Sequence, residues 1–449
     1  MPVDYQDLAQ DLLKQAADAG ATGAEVLIVE DESFSVQVRM RGLDTLRSAQ
    51  EKRLGLRLCI GQRSATTATS DFSPDSLRRL LGDTLAMARA TAEDPCGGLP
   101  EAGVLAAEVP DLDLWDAEAG SLPIPERIGL ATAAESAALD YDPRITNSDG
   151  AEYGHHDARV LFANSHGFAR SYRGSSASLS VTPIASDGSG MQRDGWYSVQ
   201  RRLRSLEAPE AVGRTAAQRT LRRLGARQVP TRQVPVVFDP ETAGSLLRTV
   251  CSAASGTAIY RSASFLTGRL GERVASSSLT VVDDGRMPDH LGSRPFDGEG
   301  LPTRRTVLVQ DGILESYLLD TYTGRKLGLP STGNASRSLG QPPTVSPTNV
   351  YIVPGPHPPA EIIRSVEQGL YLTEMIGFGV NLVTGDYSRG AVGLWIENGE
   401  LTYPVEEITI AGNLKTMLQQ VEMVGSDLEW RGTSAAPTLK IARMTVAGN

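Results

Sequence analysis

The chain has 449 residues, with 43 lysines and arginines against 54 aspartates and glutamates, and a formal charge of −11. This length accommodates two domains or one large domain with a substantial core. The acidic balance excludes a general nucleic-acid binder, which would carry a basic surface, so we expect no direct contact with nucleic acid.

The three cysteines, Cys59, Cys96 and Cys251, form no CxxC pair and no zinc-binding spacing. We interpret them as buried or inert thiols in a reducing compartment. The N-terminus lacks the apolar segment of a signal peptide, and no window reaches about 18 uninterrupted apolar residues. The sequence therefore predicts a cytoplasmic protein without a membrane span.

The first half of the chain alternates between helical and strand-like patterns. Helical spacing of apolar residues predicts helices at 3–19, 125–138 and 209–225, and a further helix that begins at 73–75 and has Leu77, Leu80, Leu81 and Leu85 on its apolar face. Period-two alternation predicts strands at 24–29, 34–41, 54–60, 160–164, 169–172 and 176–183. The Pro-, Gly- and acid-rich segment 93–125 is a surface connection, 187–190 is a flexible tip, and the basic helix at 209–225 presents its arginines to solvent or to acids elsewhere.

The second half is richer in strands and turns. We predict a strand at 232–238, a helix at 241–259, a loop-rich region at 262–302 and a helix at 359–367. Gln310-Asp311-Gly312, between apolar runs 306–309 and 313–319, predicts a type I′ hairpin, and Glu397-Asn398-Gly399 predicts another. The fold class is therefore α+β, with an N-terminal helix and antiparallel-sheet domain (1–225) followed by a β-rich C-terminal domain (226–449) with hairpins and a few helices.

Several motifs surround the first hairpin. An acidic segment with glycines contains Asp297 and Glu299, the hairpin itself reads DGIL, and YTGRKLG and STGNA follow at 322–328 and 331–335. This run resembles the TldD/PmbA family, also called the modulator of DNA gyrase family. The similarity extends over nearly the whole chain, with the motifs in the same order.

The metal-binding motif of the catalytic members is missing. In those members a helix carries HExxxH, whose histidines bind zinc and whose glutamate is the general base, and a C-terminal cysteine completes the site. The matching helix here has Arg248, Thr249 and Ala253 in the three positions, and 425–433 contains no cysteine. None of the three residues can serve as metal ligand or base, and Arg248 adds a fixed positive charge. We therefore expect no catalytic residue, metal or cofactor in this chain.

No other recognised motif replaces the missing one. His155 and His156 are adjacent on a predicted strand and point to opposite faces, so they do not share a metal. His166, His290 and His357 are isolated in the sequence. No GxSxG nucleophile motif is present, and Cys251 lies among apolar residues, which favours a packed thiol.

The resemblance implies the TldE/PmbA-like branch of the family. In that branch the chain is the non-catalytic subunit of a heterodimeric metalloprotease for unfolded peptides, and a TldD-like homologue carries the zinc. Its role would be to shape the peptide cleft by main-chain pairing at a sheet edge. Motif matching gives these candidate cleft residues, each with a structural role as an equal alternative: Asp297, Glu299, Arg304, Tyr317, Asp320, Tyr322, Arg325, Asn334 and Arg337.

Two other functions remain open at this point. One is a homodimeric peptidase with an unrecognised site, which would hydrolyse peptides as the pure chain. The other is a protein-binding modulator that acts on gyrase or another protein partner without a proteolytic role.

Overall fold

The computed structural model describes residues 5–188 and 190–448. The start of the first predicted helix, residues 3–4, and position 189 of the predicted flexible tip lie outside these ranges. No helix within the described ranges is both long and apolar enough to cross a membrane.

The helices are α1 (Tyr5–Asp18), α2 (Pro74–Ala90), α3 (Ala117–Ser121), α4 (Ile124–Leu139), α5 (Pro209–Leu221), α6 (Pro240–Ala253), α7 (Gly256–Tyr260), α8 (Thr321–Leu327), α9 (Pro359–Arg364) and α10 (Leu414–Gln419). Short 3₁₀ turns cover Ala102–Val104 and Leu203–Ser205.

The strands are β1 (Gly23–Arg39), β2 (Gly42–Ile60), β3 (Arg63–Thr69), β4 (Ile145–Asn164), β5 (Ala169–Ser186), β6 (Met191–Arg193), β7 (Trp196–Gln200), β8 (Arg232–Phe238), β9 (Val281–Asp284), β10 (Arg305–Gln310), β11 (Ile313–Leu314), β12 (Ala335–Ser336), β13 (Thr344–Val345), β14 (Val350–Ile352), β15 (Gln368–Ile376), β16 (Asp386–Glu397), β17 (Glu400–Asn413), β18 (Val421–Val424), β19 (Ser434–Ala435) and β20 (Leu439–Ala447). The α+β fold class is confirmed.

The N-terminal half is built on one antiparallel sheet. Its strand order is β3-β2-β1-β4-β5-β6, and β7 also pairs with β5. The prediction of separate strands at 24–29 and 34–41 was wrong, because β1 runs through both without a break. The polar residues 30–33 between them pair with β2 on one side and β4 on the other, so their backbone groups are satisfied within the sheet.

Long strands allow one sheet face to support two pairs of helices. Val26 and Ile28 of β1 pack in a core with α1 and α2, while Phe34 and Val36, on the same face, pack with α4 and α5. Full burial of each such side chain stabilises the fold by roughly 1.5–3 kcal/mol. Leu27 points to the opposite face and enters a third cluster that includes Phe296 of the C-terminal half. The two halves of the chain therefore share apolar contacts.

The C-terminal half surrounds helix α6. One sheet has the order β17-β16-β15-β8-β20-β18, and an additional pairing of β17 with β20 closes five of these strands into a ring. A second sheet has the order β11-β10-β9-β14-β19, and β12 pairs with β13. Helix α6 contacts β8 and β15 of the first sheet and β14 and β19 of the second. It therefore occupies the junction between them.

Two predicted elements in this half end earlier than expected. The predicted helix at 241–259 is split into α6 and α7, because Ala254 accepts from the Leu318 amide and Gly256 donates to the Leu318 carbonyl. The predicted strand at 313–319 pairs in β11 only as far as Leu314, since the next two amides bind the carbonyl of Leu308. Tertiary pairing overrides the local pattern at both places.

Both predicted hairpin turns are confirmed. Asp311 and Gly312 have φ angles of 47° and 82°, and Asn398 and Gly399 have φ angles of 52° and 79°. Positive φ at both central residues is the signature of the type I′ turn, which matches the twist of the flanking strands. The predicted domain boundary near residue 225 falls between α5 and β8 and stays a prediction.

Candidate functional site

A cleft of about 740 Å³ lies between the N-terminal sheet and the C-terminal half. Its walls come from the β6–β7 edge of the N-terminal sheet, one face of α6, the adjoining ends of β15 and β16, and segment 429–435. A second hollow of about 510 Å³ lies on the other side of Arg248 and is more apolar, with Leu318 and Leu382 in its lining. Arg248 thus stands between two concave surfaces.

Helix α6 presents one polar face to the cleft. Glu241, Gly244, Ser245 and Arg248 line it, and their spacing of three and four residues puts them on the same side of a helix. The opposite face is buried in the C-terminal core. The helix begins at the N-cap Asp239, whose carboxylate accepts from the Thr242 amide at 2.8 Å. Burial raises the pKa of Asp239 to about 6, although the Thr242 amide and hydroxyl both donate hydrogen bonds to its carboxylate.

The three positions that replace the metal motif lie on α6, and their chemistry does not fit a zinc ion. The Arg248 guanidinium donates to the Ser434 hydroxyl at 2.9 Å, and the Thr249 hydroxyl donates to the Ser245 carbonyl at 3.2 Å. Ala253 is fully buried and offers no donor atom. Within residues 5–188 and 190–448, no group of three or more His, Cys, Asp or Glu side chains is arranged to hold a metal ion.

Residues 429 and 431–433 of the C-terminal segment line the same cleft as α6. Arg431 of this segment stacks its guanidinium on the Trp196 indole, with 3.9 Å between the guanidinium carbon and the ring centroid. The same group forms an ion pair with Glu207 at 2.5 Å. Arg431 therefore fastens the segment to the N-terminal sheet across the cleft.

The acidic residues that line the cleft are paired with arginines. The pairs are Asp194 with Arg219 (3.4 Å), Glu241 with Arg219 (3.0 Å), Glu374 with Arg223 (2.6 Å) and Glu429 with Arg431 (3.0 Å). The side chains of Arg219 in α5 and of Arg223, just beyond its end, are only 12% and 14% exposed. The prediction that arginines of the basic segment 209–225 pair with acids is thus confirmed for these two, and the alternative prediction that they face solvent is wrong for them.

None of the nine residues predicted to line a peptide cleft lines this one. Asp297 is buried and accepts from the amides of Glu299, Leu301 and Ala335. Glu299 is also buried and accepts from the Thr321 amide at 2.9 Å. These two carboxyls stabilise the loop around them.

The next four candidates also bind groups of their own chain. The Asp320 carboxylate caps α8, and the Asn334 amide donates to the Asp283 carboxylate at 2.7 Å. The Tyr317 hydroxyl donates to a buried carbonyl, that of Leu266, and Arg304 donates to the Ser331 carbonyl. All four contacts lie within the C-terminal half.

The last three candidates bind the N-terminal half. Tyr322 donates to Asp94 at 2.9 Å, and Arg325 donates to carbonyls of segment 96–99. Arg337 is buried and forms an ion pair with Glu25 at 2.8 Å. The structure therefore accounts for all nine side chains by contacts within the chain, and their role toward a peptide stays a prediction.

Sequence reasoning missed the cleft residues Ser245, Arg389 and Ser434. Ser245 could have been found from its helical spacing to Arg248, because residues three apart share a helix face. Arg389 and Ser434 lie more than 140 residues away in the chain and are brought to α6 by the two C-terminal sheets. No local pattern marks them.

The structure agrees with the opposite orientations predicted for His155 and His156 and with the packed thiol predicted for Cys251, whereas Cys96 is only partly buried. His155 is buried, whereas His156 lies on the other face of β4 with its Nε2 atom 3.2 Å from Asp31. Cys251 is buried, and burial raises the pKa of its thiol far above the ordinary value. All three cysteines are unpaired.

Comparison with known proteins covers almost the entire chain. Family models match at residues 24–88, 118–224 and 231–448, and they describe domain 1, the central domain and the C-terminal domain of the PmbA/TldA metallopeptidases. The chain is 37% identical to Metalloprotease PmbA of Escherichia coli O157:H7 over 439 residues, 97% of this chain and 94% of that protein.

Solved structures give the same result. A crystal structure described as a modulator of DNA gyrase from Bacteroides thetaiotaomicron matches with a TM-score of 0.92 and 29% identity, covering 100% of both chains. TldE from Thermococcus kodakarensis matches with a TM-score of 0.87 and 21% identity, covering 98% of this chain and 99% of that one, which shows the shared fold. The chain belongs to the PmbA/TldD family of metallopeptidases.

Proposed function

We propose that this chain is the non-catalytic, TldE/PmbA-like subunit of a heterodimeric metalloprotease that processes unfolded peptides in the cytoplasm. A TldD-like homologue would supply the zinc and the general base. The observation that carries the proposal is the donor chemistry of α6, where a guanidinium, an internally bonded hydroxyl and a buried methyl group occupy the motif positions. A catalytic zinc needs about three protein ligands and an open position for water, and this set supplies none.

The borders of the cleft support an extended peptide as the substrate. Within the described residues β7 pairs with β5 alone, with its Tyr197 carbonyl accepting from Arg431 at 3.1 Å, and β19 is the terminal strand of its sheet. Both strands contribute residues to the cleft wall, namely Trp196, Tyr197, Ser434 and Ala435. Free sheet edges offer main-chain groups that bind an extended peptide regardless of its side chains.

The test combines metal analysis with reconstitution. The purified chain is analysed for zinc and incubated with an unstructured fluorogenic peptide, alone and with the TldD-like homologue, with and without a chelator. We expect less than one-tenth equivalent of zinc in the isolated chain, no hydrolysis by it, and chelator-sensitive hydrolysis once the homologue is added. The matched control is the homologue with its HExxxH glutamate changed to glutamine, which should form the complex without activity.

Two outcomes would overturn the proposal. Zinc-dependent hydrolysis by the isolated chain would favour the homodimeric peptidase. A stable complex with gyrase or another protein, together with unchanged hydrolysis by the homologue when this chain is added, would favour the protein-binding modulator.

A further inference from the structure

Two arginines in the cleft lack a carboxylate partner. Arg248 and Arg389 both line the cleft, and neither has a carboxylate oxygen within 4.0 Å among the described residues. The acids that line the cleft lie instead against three other arginines, Arg219, Arg223 and Arg431. The cleft therefore contains two guanidinium groups that are not in direct contact with a carboxylate of the described chain.

Hydroxyl groups hold the two guanidinium groups on the same helix face. Arg248 Nη1 donates to the Ser434 hydroxyl at 2.9 Å, and Arg389 Nη1 donates to the Ser245 hydroxyl at 3.2 Å. Ser245 lies one turn before Arg248 on α6, so both contacts are made over the same surface. These are neutral partners, and they leave most of the guanidinium N–H groups free to bind an anion.

Two further features point to a ligand. The Nε atom of Arg389 is buried from solvent and has no hydrogen-bond partner in the described part of the chain. A buried guanidinium N–H without a partner costs free energy that a bound acceptor would recover. Gly244 lies next to the Arg248 guanidinium, and a Cβ atom at this position would be 3.8 Å from Arg248 Nη1. Because glycine has no side chain, the helix surface beside this guanidinium is open.

We propose that Arg248 and Arg389 together bind the carboxylate of an extended peptide that lies in the cleft. The inference rests on the proposed function, in that it takes a peptide as the occupant. A guanidinium presents parallel N–H groups that match both oxygens of a carboxylate, and such charge-assisted bonds are about twice as strong as neutral ones. The carboxylate comes either from the peptide C-terminus or from an acidic side chain.

The experiment measures peptide binding to the full-length isolated chain by isothermal titration calorimetry. The probes are three N-acetylated hexapeptides of alanine, glycine and serine: one with a free C-terminal carboxylate, one with a C-terminal amide, and one amidated with a glutamate at the fourth position. We expect the free acid, the glutamate peptide or both to bind at least about tenfold more tightly than the uncharged amide. Which of the two binds identifies the source of the carboxylate.

Variants assign the effect to the two arginines. Arg248→Gln and Arg389→Gln should each weaken binding of the carboxylate peptide about tenfold and leave the uncharged amide unaffected. Arg248→Lys keeps the positive charge but loses the paired N–H groups of the guanidinium, so its affinity for the carboxylate peptide should lie between those of the wild type and Arg248→Gln. Arg79→Gln is the matched control, because Arg79 is exposed on α2 and far from the cleft in the sheet order. It should bind like the wild type.

Equal binding of all three peptides, or equal losses in Arg79→Gln and the cleft variants, would overturn the carboxylate site. This result is separable from failure of the proposed function, which is read from zinc content and hydrolysis with the homologue. An active, chelator-sensitive complex with no carboxylate preference would overturn the site alone. Carboxylate binding by a chain that hydrolyses peptides by itself would overturn the subunit role alone.

Discussion

Glu299 is a buried carboxyl group with two further carboxyls, Asp297 and Asp320, as neighbours. Burial disfavours its charged form most strongly, and repulsion by Asp297 and Asp320 adds to this, so that its pKa is raised to about 8. One hydrogen bond from the Thr321 amide opposes the shift without cancelling it. The folded chain therefore keeps this carboxyl protonated at neutral pH.

The proton on Glu299 makes stability depend on pH. The unfolded chain releases it above pH 4.5, the ordinary glutamate pKa, while the folded chain holds it to about pH 8. The free energy of unfolding consequently falls as the pH rises through this window. Glu299→Gln carries no such proton, so its stability relative to wild type should increase by roughly 2–4 kcal/mol between pH 5 and pH 8. Urea denaturation at both pH values measures the difference.

The exposed Glu315, at the nearby hairpin, provides the control for this change. Glu315→Gln should follow the wild-type pH dependence within about 0.5 kcal/mol, as surface substitutions usually do. Parallel curves for Glu299→Gln and wild type would show that Glu299 is ionised in the folded chain, which contradicts the prediction.

Single residues also mark the limit of sequence reasoning about the site. Motif matching selected Asp297, Glu299 and Asp320, and the structure places them close together, because the Glu299 amide binds Asp297 and the amide of Thr321, next to Asp320, binds Glu299. What the pattern could not give was their burial, because an acid between glycines is equally compatible with a solvated loop. Burial depends on what the rest of the chain packs over the loop, here α8 and the strand β12.

Tight turns are the elements that the sequence located best. Asn-Gly and Asp-Gly pairs between apolar runs specify the hairpin locally, since few other residues accept positive φ at both turn positions. Strand length was harder to infer. β1 continues through a polar stretch because both neighbours satisfy its backbone, whereas β11 stops after two residues. Pairing partners decide both outcomes, and they lie far away in the chain.

The second hairpin allows a direct test of its turn. Gly399 has a φ angle of 79°, and a Cβ atom there would lie 2.9 Å from the Arg364 carbonyl oxygen. Gly399→Ala should therefore lower the free energy of unfolding by about 1–3 kcal/mol, through backbone strain and this contact. Chemical denaturation measures the loss.

Gly82 supplies the opposite case within the same chain. It lies inside α2, has no positive φ, and a Cβ atom there would have nothing within 4 Å. Gly82→Ala should raise stability by about 0.5–1 kcal/mol, because alanine favours the helix and restricts the unfolded chain. If Gly399→Ala and Gly82→Ala changed the free energy of unfolding in the same direction, the role given to Gly399 in the turn would be contradicted.

At the scale of the whole molecule, the two halves are joined by apolar, ionic and cation–π contacts. Phe296 packs on Phe168 of the N-terminal sheet with 5.2 Å between ring centroids, and Arg431 stacks on Trp196 across the cleft. The overall architecture followed from resemblance along the chain, but the cleft between the halves did not. Its two arginines without a carboxylate partner, Arg248 and Arg389, come from separate elements, α6 and β16, that only tertiary structure brings together.

Glu25 ties the first strand to the C-terminal half through a buried ionic group. It is fully buried, with Arg57 at 3.1 Å and Arg337 at 2.8 Å. Burial opposes its charged form, but the attraction of Arg337 and then of Arg57 outweighs this, and the pKa of Glu25 is lowered. The ion group therefore stabilises the fold above pH 4.5 and loses this contribution as the pH falls through the lowered pKa.

Removing Arg337 should destabilise the chain far more than removing an exposed arginine. Arg337→Ala leaves a buried carboxylate with one cation and should lower the free energy of unfolding by about 3–5 kcal/mol at pH 7. Arg53→Ala removes pairs with Asp31 and Glu51 from a side chain that is 48% exposed, and should cost less than about 1 kcal/mol. The difference in free energy of unfolding between the two variants should become smaller toward pH 3, because Glu25 is protonated more easily once Arg337 has been removed. Equal losses at pH 7 would mean that the ion group does not join the two halves.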